Sequence, residues 1–186
     1  MRLNVMNRSV KIILFVALAA VLAVTPVVNS QDVATGSATA TVLTALAVTS
    51  TAALVFGNVF QGVAATIGNG NAAAGIYAIT GNASAILSIY MALPEFVALA
   101  DGSDKMTISF SATDASVDTL GGGDPTGMVA GAGFQNIDPH NFPAAANIGS
   151  GGTTNIYLGG KIYPTVDQAA GAYTGDIVLT VAYTGT

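Results

Sequence analysis

The 186-residue chain contains no cysteine and no tryptophan, and only 8% of its residues are charged. The missing cysteines exclude disulfide bridges, thiolate catalysis and cysteine-ligated zinc or iron–sulfur sites. Five basic residues against ten acidic ones give a net charge of −5, the wrong sign for a nucleic-acid backbone or an anionic membrane surface. A hydrophobic fraction of 52% is too high for a disordered chain. We therefore expect one folded domain that is stabilised by burial and hydrogen bonding alone.

Residues 1–30 have the composition of a secretory signal peptide. Three basic residues precede an apolar run over 12–24, and a proline followed by small residues leads to Ser30. This order is typical of an exported protein whose leader is removed. The alternative is a retained membrane anchor, because residues 12–28 number about 17, the lower limit of a spanning helix. We predict cleavage after Ser30, secretion to the cell surface and no stable membrane insertion afterwards.

The predicted secreted chain is strongly acidic. Removal of residues 1–30 leaves two lysines, Lys105 and Lys161, against ten acidic residues, a net charge of about −8. Such a charge favours solubility and makes a nucleic-acid partner unexpected.

Apolar and polar residues alternate with a period of two along most of the chain beyond residue 36, the pattern of half-buried β-strands. Residues 105–112 and 85–93 show it most clearly, and residues 75–80 form a shorter example. Further strands are predicted over 37–48, 52–57, 59–60, 63–67, 156–163 and 173–184. No segment sustains a helical period, and glycine or proline separates the runs. The sequence therefore predicts an all-β, antiparallel β-sandwich of about seven to nine strands.

Residues 121–153 depart from this pattern. They are rich in Gly, Asn, Pro and Ala and contain no long alternating run, although short strands near Met128 and Phe134 are left open. Stretches of this length inside a compact domain tend to be functional or mobile. The predicted organisation is a signal peptide over 1–30, an N-terminal extension over 31–50 and a sandwich domain over 51–186 that includes this excursion.

Two sequence patterns stand at the ends of the predicted secreted chain. The first is Ser37-Ala-Thr-Ala-Thr-Val-Leu, followed later by Leu54-Val-Phe-Gly57-Asn-Val; the second is Gly171-Ala-Tyr-Thr-Gly-Asp-Ile-Val-Leu-Thr-Val-Ala-Tyr183. Together they resemble bacterial spore coat protein U and related pilin-like secreted domains, which are similar to chaperone–usher fimbrial subunits. The chain departs from that pattern in having three residues after Tyr183 instead of one, and in lacking the cysteine pair common in such subunits.

The resemblance implies an immunoglobulin-like sandwich that lacks one strand and receives it from the N-terminal extension of the next subunit. A donor strand needs alternate apolar residues and neither charge nor proline, and residues 37–48 meet these conditions. The donor residues expected from this resemblance are Ala38, Ala40, Val42, Leu46 and Val48. The expected C-terminal assembly residues are Gly171, Tyr173, Ile177, Leu179, Val181 and Tyr183. The alternative is that residues 37–48 pair within their own chain.

The expected function is a structural subunit of an extracellular fimbria-like filament, polymerised head to tail. Its expected partners are other copies of itself, a periplasmic chaperone and an outer-membrane assembly protein. The alternative is a secreted monomeric adhesive or ligand-binding sandwich whose contact loop is residues 121–153. We expect neither an enzyme nor a cofactor.

Candidate chemical groups are few. His140 with Asp138 supplies only half of a typical zinc shell. Two aspartate pairs could offer oxygen ligands to calcium but lack EF-hand spacing, and are more typical of turns. The pairs are Asp101 with Asp104 and Asp114 with Asp118; Glu95, the glycine-rich run Gly121–Pro125 and the sequon Asn82-Ala-Ser84 complete the set. We predict no catalytic, metal-binding or cofactor-binding residue among them.

Overall fold

The computed structural model describes residues 33–120, 122–128 and 131–184, so the predicted signal peptide over 1–30 lies outside the described residues. The chain divides into two units, Met1–Ala40 and Thr41–Thr186. All of the strands in the described part of the chain belong to the second unit. No helix in the described ranges is long and apolar enough to cross a membrane.

The described residues form twelve β-strands and one 3₁₀ turn. In chain order the strands are β1 (Ala47–Ala52), β2 (Ala65–Ile67), β3 (Gly75–Thr80), β4 (Leu87–Ala92), β5 (Phe96–Leu99), β6 (Lys105–Ser109), β7 (Ala115–Asp118), β8 (Gly133–Ile137), β9 (Thr153–Leu158), β10 (Gly160–Tyr163), β11 (Tyr173–Thr174) and β12 (Val178–Tyr183). The 3₁₀ turn, Pro125–Gly127, follows Asp124, whose side chain accepts a hydrogen bond from the Thr126 amide.

These strands form three antiparallel sheets. The first sheet has the order β1-β3-β9-β7-β8, the second has the order β11-β5-β6-β10-β2, and the third is the pair β12-β4. The prediction of an all-β fold with antiparallel sheets is confirmed.

The first sheet and the β12-β4 pair share one hydrophobic core. Ile79 of β3, Ile156 of β9 and Val117 of β7 are fully buried in it, together with Leu87 and Met91 of β4. These residues lie on two different sheets and contact each other across the domain interior. The core therefore fixes how the β12-β4 pair faces the first sheet.

A second, smaller core lies on the second sheet. Its buried members are Met106 and Ile108 of β6 and Ile162 of β10, and Phe56 and Val59 are among the partly buried residues packed against it. Residues that follow β1 in the chain therefore help to cover this sheet.

Several predicted strands match the structure closely. Residues 75–80 are β3, and β4 and β6 fall within the predicted runs 85–93 and 105–112. The predicted strand over 173–184 is instead divided into β11 and β12, because residues 175–177 are not part of a strand. A Cβ at Gly175 would lie 3.2 Å from the Phe96 carbonyl oxygen, because the backbones approach closely there.

Two strands were not predicted, and one begins later than predicted. All four residues of β7 are buried, and although its sequence Ala-Ser-Val-Asp alternates, the run is only four residues long and ends at an aspartate, a residue type typical of turns. Strand β5, Phe96–Leu99, lies directly after Pro94 and is apolar throughout. The predicted strand over 37–48 is wrong in position, because strand structure begins only at Ala47.

Part of the excursion over 121–153 belongs to the folded body. The strand predicted near Phe134 is confirmed as β8, whereas residues 122–128 contain only the 3₁₀ turn. Ile148 is fully buried in the first core, and Asn147 forms an isolated β-bridge with Ile86. These two residues are therefore used for packing.

Candidate functional site

Strand β12 has a partner on only one side within the described residues. It pairs with β4 from Val178 opposite Ala92 to Tyr183 opposite Leu87, and its second edge is left with unpaired backbone groups. Its core-facing side chains, Leu179 and Val181 among them, contact the first core but remain partly exposed. An edge of this kind can accept another strand.

Strand β1 passes along the same side of the domain in the opposite direction. At its start, the Thr44 carbonyl oxygen accepts a hydrogen bond of 2.8 Å from the Tyr183 hydroxyl at the end of β12. Beyond its end, residues 53–59 line one cleft of about 710 Å³ together with residues 171–175 and Ile177. We call the strip between β1 and β12, together with this cleft, the groove. It has a Tyr183 end, which the chain itself closes, and an Ile177 end, where the cleft opens.

The cleft at the Ile177 end is apolar. Met106, Ile108 and Ile162 of the second core contribute to its lining, and so do Leu54 and Ile177. No charged side chain occurs among the residues that line it. A surface of this composition fits an uncharged, apolar partner.

A network around Asp104 holds the chain beside this cleft. Its Oδ2 atom accepts hydrogen bonds from the Tyr173 hydroxyl at 2.7 Å, from Gln168 Nε2 at 2.7 Å and from the Ala169 amide at 2.8 Å. The Tyr173 hydroxyl is the largest cause that lowers the pKa of Asp104. Burial, followed by the hydrogen bond to Asp104, raises the pKa of Tyr173. The network thus fixes Tyr173 and residues 168–173 at the edge of the groove.

The Tyr183 hydroxyl organises the other end of the groove. It donates to the Thr44 carbonyl and accepts a hydrogen bond of 2.7 Å from the Asn82 amide. Gly81 lies directly beneath it, because a Cβ at this position would overlap the Tyr183 hydroxyl and lie 2.8 Å from Ile148 Cδ1. A side chain at residue 81 would therefore displace the tyrosine.

The predicted C-terminal assembly residues lie in two places. Ile177 and, on β12, Leu179, Val181 and Tyr183 pack against the first core. Tyr173 lies on β11 and packs against the second core. Gly171 and Tyr173 both line the cleft. These residues together form one wall of the groove.

The predicted donor residues are divided between two environments. Ala38 and Ala40 belong to the unit Met1–Ala40 and lie outside the strands. Val42 is 94% exposed, whereas Leu46 packs against the first core of its own chain. Val48 lies in β1 opposite Ile79 of β3. Leu46 and Val48 therefore serve their own domain, which leaves the residues up to Val42 as the segment available to another.

Several contacts of the groove were not identified from the sequence. Gln168 is buried and joins Asp104 to Tyr173, and Gln61 Nε2 donates a hydrogen bond of 2.6 Å to the Gln168 carbonyl. Asp104 was considered only as a turn residue or calcium ligand. The contacts of Gln168 with Asp104 and with Gln61 join residues about sixty and about a hundred positions apart, and no local spacing signals them.

The other candidate residues are used in local structure. The Asp138 side chain accepts a hydrogen bond from the His140 amide, the largest cause that lowers the pKa of Asp138. Asp101 and Asp114 accept hydrogen bonds from the amides of nearby serines. Among the described residues, no three histidine or acidic side chains are grouped as a metal site would require.

Asp118 is the exception among these carboxylates because it is buried, with 2% of its surface exposed. It accepts a hydrogen bond from the Leu120 amide and faces the Tyr157 hydroxyl at 3.5 Å. Burial, followed by the charge of Asp118, raises the pKa of Tyr157 to about 12. The pair belongs to the interior of the first sheet and not to the groove.

Comparisons of the chain with protein-family models, with curated proteins and with solved structures find no match. The groove is therefore interpreted from its own geometry.

Proposed function

We propose that this protein is a structural subunit of an extracellular filament in which each copy fills the groove of another with its N-terminal segment. The observation that carries the proposal is the unpaired edge of β12 beside an uncharged, apolar cleft. Secretion of the chain and cleavage after Ser30 are part of the same proposal.

The strand order supports an immunoglobulin-like sandwich that lacks its last strand. In such a sandwich, strands A, B, E and D form one sheet and strands C, F and G form the other. Here β1, β3, β9 and β7 are neighbours in the first sheet, in the order expected for A, B, E and D. The pair β4 and β12 corresponds to C and F. The place of strand G, beside β12, holds no strand of the described residues.

The N-terminal segment has the composition that this place requires. Residues 33–46 contain neither charge nor proline, and Ala38, Ala40 and Val42 share one parity. Burying Val42 in the groove would contribute about 1.5–3 kcal/mol, and each alanine less. Each backbone hydrogen bond to β12 would add on the order of 1 kcal/mol. A joint of this kind holds without disulfides.

The groove and the N-terminal segment are different surfaces, so the joint between two copies is heterologous. A heterologous joint whose rotation does not close extends into a filament when it is repeated. A chaperone and an outer-membrane assembly protein, which occupy or load such grooves in the resembling families, remain expected partners of this proposal.

The proposal is tested by a charge placed on either face of the N-terminal segment. Val42→Asp would place a carboxylate in the apolar groove, and we expect it to abolish filaments in electron micrographs and in sedimentation. Thr41→Asp adds the same charge on the opposite parity, where it faces away from the groove, and we expect filaments to persist. Monodisperse monomer from the unmodified secreted chain, or an equal response to both substitutions, would show that the segment does not fill a groove.

A further inference from the structure

The turn at Phe60–Val63 forms an exposed apolar corner of the domain. Phe60 is 77% exposed, Val63 is 57% exposed and Val166 of the adjacent loop is 82% exposed. The Gly62 amide donates a hydrogen bond of 2.9 Å to the Thr165 carbonyl, and a Cβ at Gly62 would lie 2.9 Å from Val166 Cγ1. The three side chains therefore belong to one surface, which we call the corner.

The corner flanks the Ile177 end of the groove. A second cleft of about 510 Å³ is lined by Val59 and Gln61 from the segment of the corner, and by Gln168 and Gly171 from the facing loop. Val59 and Gly171 also line the apolar cleft. A chain that leaves the groove at this end therefore passes the corner.

A donated strand has to leave the groove at the Ile177 end. The Tyr183 end is occupied by the acceptor's own chain, since Thr44 is bonded to Tyr183 and Leu46 packs against the first core. The donated segment continues towards its own β1, so the end of the segment nearest its parent domain emerges beside the corner. The donated strand consequently runs antiparallel to β12.

The connection between the donated strand and its parent domain is short. In the parent, the Thr44 carbonyl is held 2.8 Å from the Tyr183 hydroxyl. Val42 precedes Thr44 by two residues, which span at most about 7 Å. With Val42 seated in the acceptor's groove, the Tyr183 end of the parent lies against the Ile177 end of the acceptor.

The Tyr183 end offers a matching surface. Ile86 lies there, since its carbonyl accepts a hydrogen bond from the Thr184 amide just beyond Tyr183, and Ile86 is 49% exposed. Residues 81–86 and 143–152 carry no charge, and neither do residues 59–66 of the corner. Large exposed apolar side chains gathered on one surface usually mark a contact.

We propose that the corner of each copy docks on the Tyr183 end of the copy that donates its strand, with Phe60, Val63 and Val166 against Ile86. This second contact rests on the proposed function. With this second contact, successive domains pack directly against each other and are not joined by a flexible linker alone.

The chain lacks cysteine, so engineered cysteine pairs report contacts without background. Val166→Cys with Ile86→Cys in the full secreted chain should give a ladder of multimers after treatment of filaments with a short bis-maleimide. Val166→Cys with Tyr90→Cys is the matched control, because Tyr90 is 65% exposed but lies in the middle of β4. We expect the control to give at least tenfold less multimer.

A second pair of variants tests the joint itself. Val42→Cys with Ile177→Cys should form a disulfide ladder, whereas Val42→Cys with Val181→Cys should not, because the donated strand runs antiparallel to β12. A ladder at residues 42 and 177 without one at residues 86 and 166 would overturn the second contact and leave the filament proposal standing. A ladder from the pair at residues 42 and 181 instead would show that Val42 does not lie at the Ile177 end. That result would overturn the proposed direction of the donated strand and, with it, the contact between the corner and the Tyr183 end. The absence of every ladder would contradict both proposals.

Discussion

The central strand of the first sheet and the last strand of the chain differ in what covers them. Strand β9 has neighbours on both sides, β3 and β7, and its residues from Thr154 to Leu158 are buried. Among the described residues, strand β12 has only β4 as a neighbour, and its core-facing residues are partly exposed. Both strands contribute to the same core. Two strands of one core therefore differ in the number of neighbours that cover them.

The largest expected loss of stability comes from a cavity made at β9, the strand with a neighbour on each side. Ile156→Ala removes a fully buried side chain between β3 and β7, and we expect a loss of about 2–5 kcal/mol in the free energy of unfolding. Urea unfolding of the Val42→Asp chain, which we expect to be monomeric, measures this without interference from assembly.

Leu179→Ala in the Val42→Asp chain measures the corresponding loss of stability at β12, for comparison with the loss at β9. We expect a loss well below that of Ile156→Ala, because the Leu179 side chain is already partly in contact with water. Equal losses in the free energy of unfolding at residues 156 and 179 would mean that β12 is covered in the monomer as well as β9 is.

A smaller loss of thermal stability is expected from a substitution at Asp104, at the edge of the groove. Asp104→Asn weakens the acceptor of the Tyr173 hydroxyl, so the melting temperature should fall at pH 7. Folding lowers the pKa of Asp104 below its ordinary value of 3.8, so the carboxylate stabilises the domain above that value. Its contribution is lost as the pH falls through the lowered pKa of the folded state.

The difference between wild type and Asp104→Asn should therefore persist at pH 5 and shrink below about pH 4. Asp167→Asn, which removes an exposed carboxylate from the same loop, is the control. Melting curves at pH 7, 5 and 3 check the trend, and a difference that grew on acidification would contradict the role given to Asp104.

The sequence allowed the strand class to be predicted because alternation marks half-buried strands. Strands β3, β4 and β6 were identified in this way, whereas β7 was missed because its alternating run is only four residues long and ends at Asp118, a residue type that is uncommon in strands. The start of β1 was misplaced because the alternation of residues 37–48 continues upstream of Ala47, where the chain forms no strand. Five of the six residues of β1 are exposed.

The candidate site could be predicted only along one wall. The parity of Ile177, Leu179, Val181 and Tyr183 is visible in the sequence, and these residues all pack against the first core. The opposite wall and the Asp104 network depend on contacts between distant segments. Neither the closure by Thr44 nor the position of the corner has a local signature.

Amide hydrogen exchange along β12 tests the central claim most directly. In the Val42→Asp chain, the alternate β12 amides that point away from β4 should exchange rapidly, and in filaments of the unmodified chain they should become protected together. Protection of these amides in the substituted monomer, or rapid exchange in the filament, would contradict the claim that a second copy supplies the strand beside β12.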